Sequence, residues 1–311
     1  MLDFHTSLSS STILPQESWL RPLQQTPEFQ RALSACGQAT TVLPELNHTL
    51  VTKRRFWGGV ELAMINRAPL SCPRHLTEAL HANGLSRTPF ILSPDRPTPN
   101  LGTIGALPLI CPASTAVLDL TKSRPQRLAG LHQKWRNRLN RARENQLRVS
   151  RQNMPLDANH WLFSADLAQQ QQRGYRSWPI GLTLAYAKAN PGQAKLFQAF
   201  EGKEPLAAIL ILRHGNTATY HISHSTQRGK QLSAHNLLIW EASNWLVSKG
   251  CLQLDLGLIN TEEAPGLARF KLGTGARLVK LGGTWALWPP LGKLLTPLAR
   301  LDAKRMSARS H

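Results

Sequence analysis

Residues 217–257 read TATYHISHSTQRGKQLSAHNLLIWEASNWLVSKGCLQLDLG, and this stretch decides the fold. Its periodicities predict a strand at 217–224, a helix at 232–249 and a second strand at 252–256. Gly250 stands where a helix often ends in a left-handed cap, so the end of the helix is well marked. The second strand alternates apolar and polar residues and carries Asp255 near its C-terminal end. Open α/β sheets bind ligands beyond that end of their strands, so Asp255 is the first candidate site residue.

Composition and charge restrict the class of protein and the partners it attracts. The chain has 311 residues, and 41% of them are hydrophobic, which suffices for the core of one large domain or two ordinary ones. Lys and Arg number 37 against 18 Asp and Glu, which gives a formal net charge of +19. Such a charge attracts phosphate-bearing ligands, RNA or an anionic membrane.

The cysteines and the apolar runs indicate in which cellular compartment the protein lies. The four cysteines are widely scattered and form no C-x-x-C pair: Cys36, Cys72, Cys111 and Cys251. This distribution favours a reduced cytoplasmic protein over a disulfide or zinc framework, and we expect no metal site. The first ten residues lack the pattern of a secretory leader, and no uncharged apolar run reaches 18 residues. We therefore expect an intracellular protein that spans no membrane.

A strongly basic segment interrupts the chain before its middle. Ten basic residues but only one acid, Glu144, lie between Lys122 and Arg151. Pro125 suits a helix start and apolar residues follow at spacings of three and four, which predicts a basic linking helix over 122–151. The polyanion-binding candidates on this helix are Arg136, Arg138 and Arg141. The alternative is a solvated face between two domains, because a charge run alone is unspecific.

The second half of the chain has an ordered set of elements and strings. Its pattern predicts two helices, a three-stranded antiparallel meander, the central helix and a final strand. The accompanying strings are KWRNR at 134–138, YH at 220–221, AHNLLIWEA at 234–242, LDLG at 254–257 and GLARFKLG at 266–273. Together they resemble the Fem-like branch of the GNAT acyltransferases, the relatives of peptidoglycan interpeptide-bridge aminoacyltransferases. The resemblance covers roughly residues 124–288.

The resemblance implies an α/β fold with mixed sheets and tandem GNAT-like lobes, of which the N-terminal one is degenerate. The expected units are a first lobe at 1–121, the basic linking helix at 122–151, an acyltransferase domain at 152–290 and a basic amphipathic tail at 291–311. The implied activity is transfer of an acyl or aminoacyl group from an activated donor to an amine, with no permanently bound cofactor. Ordinary GNAT enzymes use acyl-CoA as the donor, whereas Fem-type enzymes use aminoacyl-tRNA and act on cell-wall or lipid-linked precursors. The alternative from another class is a non-catalytic GNAT-like module that binds RNA or anionic membrane.

The loop before the central helix is the expected donor site. In GNAT enzymes a [QR]-x-x-G-x-[GA] loop holds the coenzyme A pyrophosphate with backbone amides at a helix N-terminus. Here residues 227–234 read QRGKQLSA, and Gln231 and Ser233 occupy the two glycine positions, so both donors stay open. The donor- and phosphate-binding candidates are Arg228, Gly229, Lys230, Gln231, Ser233 and Asn236.

Acyl transfer to an amine needs a proton acceptor and a group that stabilises the tetrahedral oxyanion. His221 is the candidate base, and strict strand alternation would set Tyr220 and Ile222 together on the opposite face. Asp255 would orient or deprotonate the substrate amine, and Lys271 would neutralise a phosphate or an oxyanion. The structural alternatives are a hydrogen-bonded histidine, a carboxylate that caps backbone amides and a surface lysine.

The tail at 291–311 combines leucines with basic residues. Such a segment is too short and too charged to span a bilayer. It either packs onto the protein body or makes peripheral contact with anionic lipid at the inner face of the membrane.

Overall fold

The computed structural model describes residues 20–56, 59, 61–292, 294–298 and 301. The helices of this part of the chain are α1 (Pro27–Ala35), α2 (Pro73–Ala82), α3 (Arg124–Ala129), α4 (Gln133–Glu144), α5 (Trp161–Arg173), α6 (Ile180–Ala189), α7 (Gln227–Gln231), α8 (Ala234–Ser248) and α9 (Pro265–Leu272). The strands are β1 (Thr40–Leu43), β2 (Thr49–Arg55), β3 (Glu61–Ala68), β4 (Phe90–Pro94), β5 (Leu107–Ile110), β6 (Ser114–Asp119), β7 (Arg148–Asn153), β8 (Ala194–Glu201), β9 (Glu204–His214), β10 (Thr217–Ser225), β11 (Gln253–Ile259), β12 (Arg277–Lys280) and β13 (Thr284–Leu287). Short 3₁₀ helices lie at Leu23–Gln25, Leu101–Ile104 and Pro289–Leu291.

The strands form two mixed sheets. Their strand orders correspond when the second is read from β8 to β12 and its edge strand β7 is left aside. The first sheet runs β1-β2-β3-β4-β13-β5, and the second runs β12-β6-β11-β10-β9-β8-β7. Within the described residues each sheet has one parallel pair, β3 with β4 and β10 with β11, and its other pairs are antiparallel. The predicted α/β class with mixed sheets and two lobes is therefore confirmed.

The two lobes exchange one strand each. β6 follows the first lobe along the chain but lies between β11 and β12 of the second sheet. β13 follows the second lobe but lies between β4 and β5 of the first sheet. The sheets are thus assembled from strands on both sides of the predicted boundaries at 121 and 152, and the predicted division of the chain into units does not coincide with sheet membership.

Three apolar clusters hold these sheets. One packs α2 against the first sheet and includes Leu287 of the exchanged β13. A second packs α4 and α8 against one face of the second sheet and includes Leu118 of the exchanged β6. The third joins α1 to α5, α6 and the opposite face of the second sheet, so it binds both halves of the chain together. No helix of the described part of the chain is long and apolar enough to cross a membrane.

The basic segment departs from the prediction of one linking helix. Residues 122–151 divide into α3, α4 and the first residues of β7, which forms the edge of the second sheet. Gly130 ends α3, and Gln146 adopts a left-handed φ of 47° between α4 and β7. The predicted apolar face of the helix is confirmed, because Trp135, Leu139 and Ala142 are buried. The periodicity correctly predicted a helix in this segment. The helix ends before the predicted residue 151 because residues from Arg148 onwards pair with β8.

The central stretch follows its prediction closely. The strand, helix and strand occur as β10, α8 and β11, and Gly250 has the expected left-handed φ of 74°. The structure also contains one helical turn that the sequence did not predict, α7. The side chain of Thr226 caps this turn by accepting a hydrogen bond from the Gly229 amide.

Alternation along β10 is broken by a bulge, so the expectation that Tyr220 and Ile222 share a face is wrong. The pairing with β9 shifts register between these two residues. Tyr220 packs with α8, whereas Ile222 packs in the cluster that contains α5 and α6. A bulge opposes two residues to one and rotates the side chains that follow, which a period of two cannot anticipate.

Strand exchange predicts that a substitution near the C-terminus destabilises the first lobe. Leu287→Ala, whose wild-type side chain is 2% exposed, should reduce the free energy of unfolding by about 2–5 kcal/mol because it leaves a cavity in the first core. Leu278→Ala, at a residue that is 55% exposed, should cost within about 0.5 kcal/mol. Urea unfolding measures both values, and hydrogen exchange should show the lost protection at β4. Equal stabilities of the two variants would contradict the exchange.

Candidate active site

The parallel pair β10–β11 is short, and beyond it the two strands separate. Pairing covers only Thr217–Thr219 against Gln253–Asp255. Past this point β10 continues alongside β9, and β11 continues alongside β6. Two strands that diverge expose unpaired backbone N–H and C=O groups to each other, which an inserted ligand can satisfy. We call this opening between the C-terminal halves of β10 and β11 the wedge.

Asp255 is the last β11 residue paired with β10, and three donors hold its carboxylate. Oδ1 accepts from Thr115 Oγ1 at 2.7 Å and from the Gly257 amide at 2.8 Å. Oδ2 accepts from Arg67 Nη1 at 3.3 Å, and Arg67 also donates to Asp95 at 2.6 Å. Asp255 therefore joins the first lobe, the exchanged strand and the backbone of β11.

Lys271 enters the same region from α9. Its side chain is enclosed, with the residue only 6% exposed, and its Nζ donates to the Leu258 carbonyl at 2.8 Å. Gly257 has a left-handed φ of 82°, which favours glycine, and a Cβ built there would lie in ordinary contact with this nitrogen, at 3.5 Å. Burial lowers the pKa of Lys271 to about 8, against the opposing attraction of Asp255. The sequence analysis named Asp255 and Lys271 as separate candidates, and the structure places both on the C-terminal half of β11 or against it.

His221 is enclosed on the side of the sheet that carries α6. Its Nε2 lies 2.9 Å from Thr183 Oγ1, and its ring lies 4.6 Å from the ring of Trp178. Burial lowers the pKa of His221 to about 4, so the imidazole is neutral at pH 7. These contacts resemble those of a hydrogen-bonded histidine in a packed region, the alternative considered for this residue.

The sequence did not predict a contact between a tyrosine and a histidine that the structure contains. Tyr220, the first β10 residue beyond the parallel pairing, places its Oη 2.7 Å from His235 Nε2 in the first turn of α8. The His235 ring lies 5.0 Å from Phe270, the residue before Lys271. Burial lowers the pKa of His235 to about 4 and raises that of the Tyr220 phenol. The two strings containing these residues had been noted, but no local spacing connects positions 15 residues apart on different elements.

The loop candidates divide into structural residues and cleft residues. Arg228 forms a two-contact pair with Glu201, at 2.9 and 2.6 Å, on the surface. Gly229 is buried against the Leu206 carbonyl, and a Cβ there would lie 2.4 Å from that oxygen. Both residues therefore fix the loop to its surroundings.

The remaining loop candidates face the basic helix. Lys230, Gln231 and Ser233 line an open cleft of about 570 Å³ together with Asn137, Arg138 and Arg141 of α4. We call this opening the donor cleft, after the donor site that the sequence predicts for this loop. Two groups that the sequence analysis treated separately, the loop and the basic helix, thus meet in one place. In the described part of the chain none of the ion pairs involves Arg138, Arg141 or Lys230.

Arg136 and Asn236 stand apart from this lining. Arg136 Nη2 donates to the carbonyls of Ala129 and Leu131, so its guanidinium fastens α4 to the segment before it. Asn236 is 4% exposed, and its Nδ2 has no hydrogen-bond partner among the described residues.

A second cleft of about 680 Å³ continues along α4 towards the edge strand β7. Arg143, Arg151 and Glu241 contribute its charges, and Trp245 is part of its wall. The pKa of Lys195 nearby is lowered by burial and by the adjacent positive charges, first among them Arg151. Cations therefore extend beyond the donor cleft. No group of three or more His, Cys, Asp or Glu residues in the described ranges is placed to hold a metal ion.

The sequence matches one protein family. The family is described as the acetyltransferase (GNAT) domain, and the match spans residues 129–272, from the end of α3 to the end of α9. Asp255, Lys271 and the lining of the donor cleft all lie within it. Among curated proteins no sequence matches this chain.

Solved structures resemble most of the chain. The crystal structure of FemX is similar with a TM-score of 0.69 at 12% identity, covering 88% of this chain and 94% of that one. The C-terminal domain of a protein from Agrobacterium fabrum, provisionally assigned as a lysylphosphatidylglycerol synthetase, has a TM-score of 0.55 at 13% identity over 91% of this chain and 93% of its own. A conserved protein of unknown function from Bacteroides thetaiotaomicron has a TM-score of 0.52 at 13% identity, covering 85% and 91%. At such identities the similarity establishes the two-lobed fold.

The low pKa of Lys271 predicts a pH dependence of stability. In the folded protein the group loses its proton near pH 8, whereas the unfolded chain keeps it up to about pH 10.4. The unfolded state therefore binds more protons between these values, and the free energy of unfolding contributed by Lys271 rises with pH over that interval. Urea midpoints measured from about pH 8 to about pH 10 should rise more steeply for the wild type than for Lys271→Met. Lys280→Met, an exposed control, should keep the wild-type slope, and a common slope for all three would contradict the enclosure of Lys271.

Proposed function

We propose that the chain transfers an acyl or aminoacyl group to an amine, because residues 129–272 match the acetyltransferase (GNAT) domain family and the two-lobed fold resembles that of FemX. The observation that carries the proposal is Lys271, whose enclosed ammonium group lies at the end of β11 where the wedge opens. In the reaction the amine nitrogen forms a bond to the donor's carbonyl carbon, and the bond from that carbon to sulfur or oxygen breaks. One proton of the amine passes to the leaving group.

Lys271 is proposed to stabilise the tetrahedral oxyanion. Its Nζ donates to a backbone carbonyl and not to a carboxylate, so donors remain for a second acceptor in the wedge. A cation in an enclosed site acts more strongly on developing negative charge than one in water. The pKa of about 8 leaves most of this group protonated at pH 7.

Tyr220 and His235 are proposed to accept and pass on the amine proton. They lie on the β10 side of the wedge, and their 2.7 Å contact connects a phenol to a neutral imidazole. His221 was the base expected from the sequence, and its contacts with Thr183 and Trp178 favour a supporting role over contact with substrate. Asp255 is proposed to position this end of β11, because its carboxylate is already bound by three donors.

The donor cleft is proposed to bind the phosphates of the donor. Arg138, Arg141 and Lys230 supply three positive charges from two elements, which suits the pyrophosphate of acyl-CoA. No cofactor would be held permanently, since the donor is consumed in each turnover. Both donors are cytoplasmic compounds, so we propose that the reaction takes place in the cytoplasm.

A second candidate donor is aminoacyl-tRNA, as in a Fem-type enzyme that acts on a cell-wall or lipid-linked precursor. The observation in its favour is the continuation of cations from the donor cleft to Arg143 and Arg151 in the second cleft. A nucleic acid carries a phosphate at every nucleotide and would use cations over this whole length, whereas acyl-CoA would not reach them. A module that binds RNA or membrane without catalysis would use the same surface but would not need Lys271.

The central test is Lys271→Met. We expect kcat for acylation of an amine to fall roughly 10²–10³-fold, because one oxyanion donor is lost. Lys280→Met removes the same charge from the exposed face of β12 and should leave kcat unchanged. Product is measured by mass spectrometry after incubation with acyl-CoA or aminoacyl-tRNA and a panel of amines. Wild-type turnover that survives Lys271→Met would remove this residue from the mechanism, and a wild type that turns over neither donor would favour the non-catalytic module.

A paired substitution tests the donor cleft. Arg138→Gln with Arg141→Gln should raise KM for the donor and flatten its salt dependence, since fewer phosphate counterions are displaced. Arg228→Gln removes an arginine of the neighbouring loop that is already paired with Glu201, so it should leave the salt slope unchanged. Adding Arg143→Gln and Arg151→Gln should flatten the slope further for aminoacyl-tRNA but not for acyl-CoA. If the wild-type slope persists in the first variant, the donor binds elsewhere.

A further inference from the structure

The segment after β13 contains a helical turn at 294–298, and three leucines in and shortly after this turn are largely exposed. Leu294 is 73% exposed, Leu298 55% and Leu301 56%. Their spacings of four and three residues set them on one face of a helix. We call these three residues the leucine face. We propose that the leucine face docks this protein onto an anionic lipid surface.

The base of this segment is fixed to the first lobe, so the leucine face has a defined direction. The backbone of Gly292 packs so closely that a Cβ there would lie 2.7 Å from the Ile104 carbonyl oxygen. A Cβ on Gly105 would in turn lie 2.3 Å from the Gly292 carbonyl oxygen, so neither glycine tolerates a side chain. Leu291 and Leu295, next to these residues in the sequence, are half-buried. The segment thus packs in part through Leu291 and Leu295 and leaves the leucine face exposed.

Charge selects lipid as the occupant. Residues 293–311 contain five basic residues and one acid in sequence: Lys293, Arg300, Lys304, Arg305 and Arg309 against Asp302. Residues 293, 299–300 and 302–311 lie outside the described residues. Apolar side chains accompanied by Lys and Arg are the composition of a segment that lies in the interface of an anionic membrane. A second copy of this chain would bring another charge of +19 against the first, which disfavours self-association through this face.

Trp288 adds an aromatic residue just before the segment. It is 46% exposed, and its Nε1 donates to the Arg87 carbonyl at 3.2 Å, which holds the ring at the surface. Tryptophan favours the boundary between lipid headgroups and acyl chains. The leucines, the tryptophan and the basic sequence together fit a peripheral contact.

Vesicle flotation with the full-length protein tests the proposal. Vesicles of phosphatidylcholine containing about 30% phosphatidylglycerol should carry the wild type to the top of the gradient, and vesicles of phosphatidylcholine alone should carry much less. The triple variant Leu294→Gln, Leu298→Gln, Leu301→Gln should bind anionic vesicles at least about tenfold more weakly, since three apolar side chains no longer insert. The matched control replaces leucines that are 60%, 45% and 55% exposed elsewhere, as Leu156→Gln, Leu167→Gln, Leu278→Gln, and should float like the wild type.

Three outcomes would overturn the proposal. Absence of wild-type flotation at low salt would exclude lipid as the occupant. Equal flotation of the triple variant and the wild type would mean that the basic charge alone binds the vesicles. A wild type that is dimeric by light scattering, floats no better than the triple variant and becomes monomeric in that variant would assign the face to a second copy. Thermal midpoints and acyltransfer to a water-soluble amine are measured in parallel, so loss of folding or of the proposed activity is distinguished from loss of docking.

Discussion

The carboxylate of Asp255 is the contact on which the rest of this structure depends. It accepts from Arg67 in the first sheet, from Thr115 in the exchanged strand β6 and from the backbone of its own strand at Gly257. A largely enclosed ion pair of this kind adds little net stability, because desolvation offsets much of the attraction. Its larger effect is geometric, since it links the first lobe, the exchanged strand and β11 at one point. The point where β10 and β11 separate is held by this arrangement, so the wedge has a defined shape before any ligand binds.

Reciprocal strand exchange connects the two lobes. β6 completes the second sheet and β13 completes the first, so each of these two apolar cores contains side chains of the exchanged strand. The third cluster, in which α1 packs with α5 and α6, adds a further apolar connection. The lobes differ at their parallel pairs. β3 and β4 pair through Asn66 and again at Ala68, whereas β10 and β11 separate after Asp255, so the opening is found in the second lobe.

The proposed function rests on positively charged side chains that form no ion pair with a carboxylate among the described residues. Arg138, Arg141 and Lys230 converge on one cleft, the donor cleft. Lys271 lies apart from them, with its ammonium group bound to a carbonyl and its pKa lowered by burial. In the proposed reaction this distribution would separate the binding of a phosphate-bearing donor from the stabilisation of the reacting carbonyl. The proposed acyl transfer uses both features, and the leucine face would add a site of attachment away from them.

The sequence by itself determined the elements and the chemistry of single positions. Helical spacing located α8, and Gly250 marked the end of this helix. The ordered strings indicated a GNAT-like second lobe, with Asp255 and Lys271 among its candidate site residues. These signals are local, because caps, turns and periodicities involve residues close in the chain. Only the tertiary structure decided the strand exchange, the contact of Tyr220 with His235 and the meeting of α4 with the loop in the donor cleft. The bulge that turned Ile222 away from Tyr220 also belongs to this class, since it arises from pairing with β9. Such features depend on which distant strands and helices become neighbours, and that is set by burial of the whole apolar surface, for which no short stretch of sequence carries a signal.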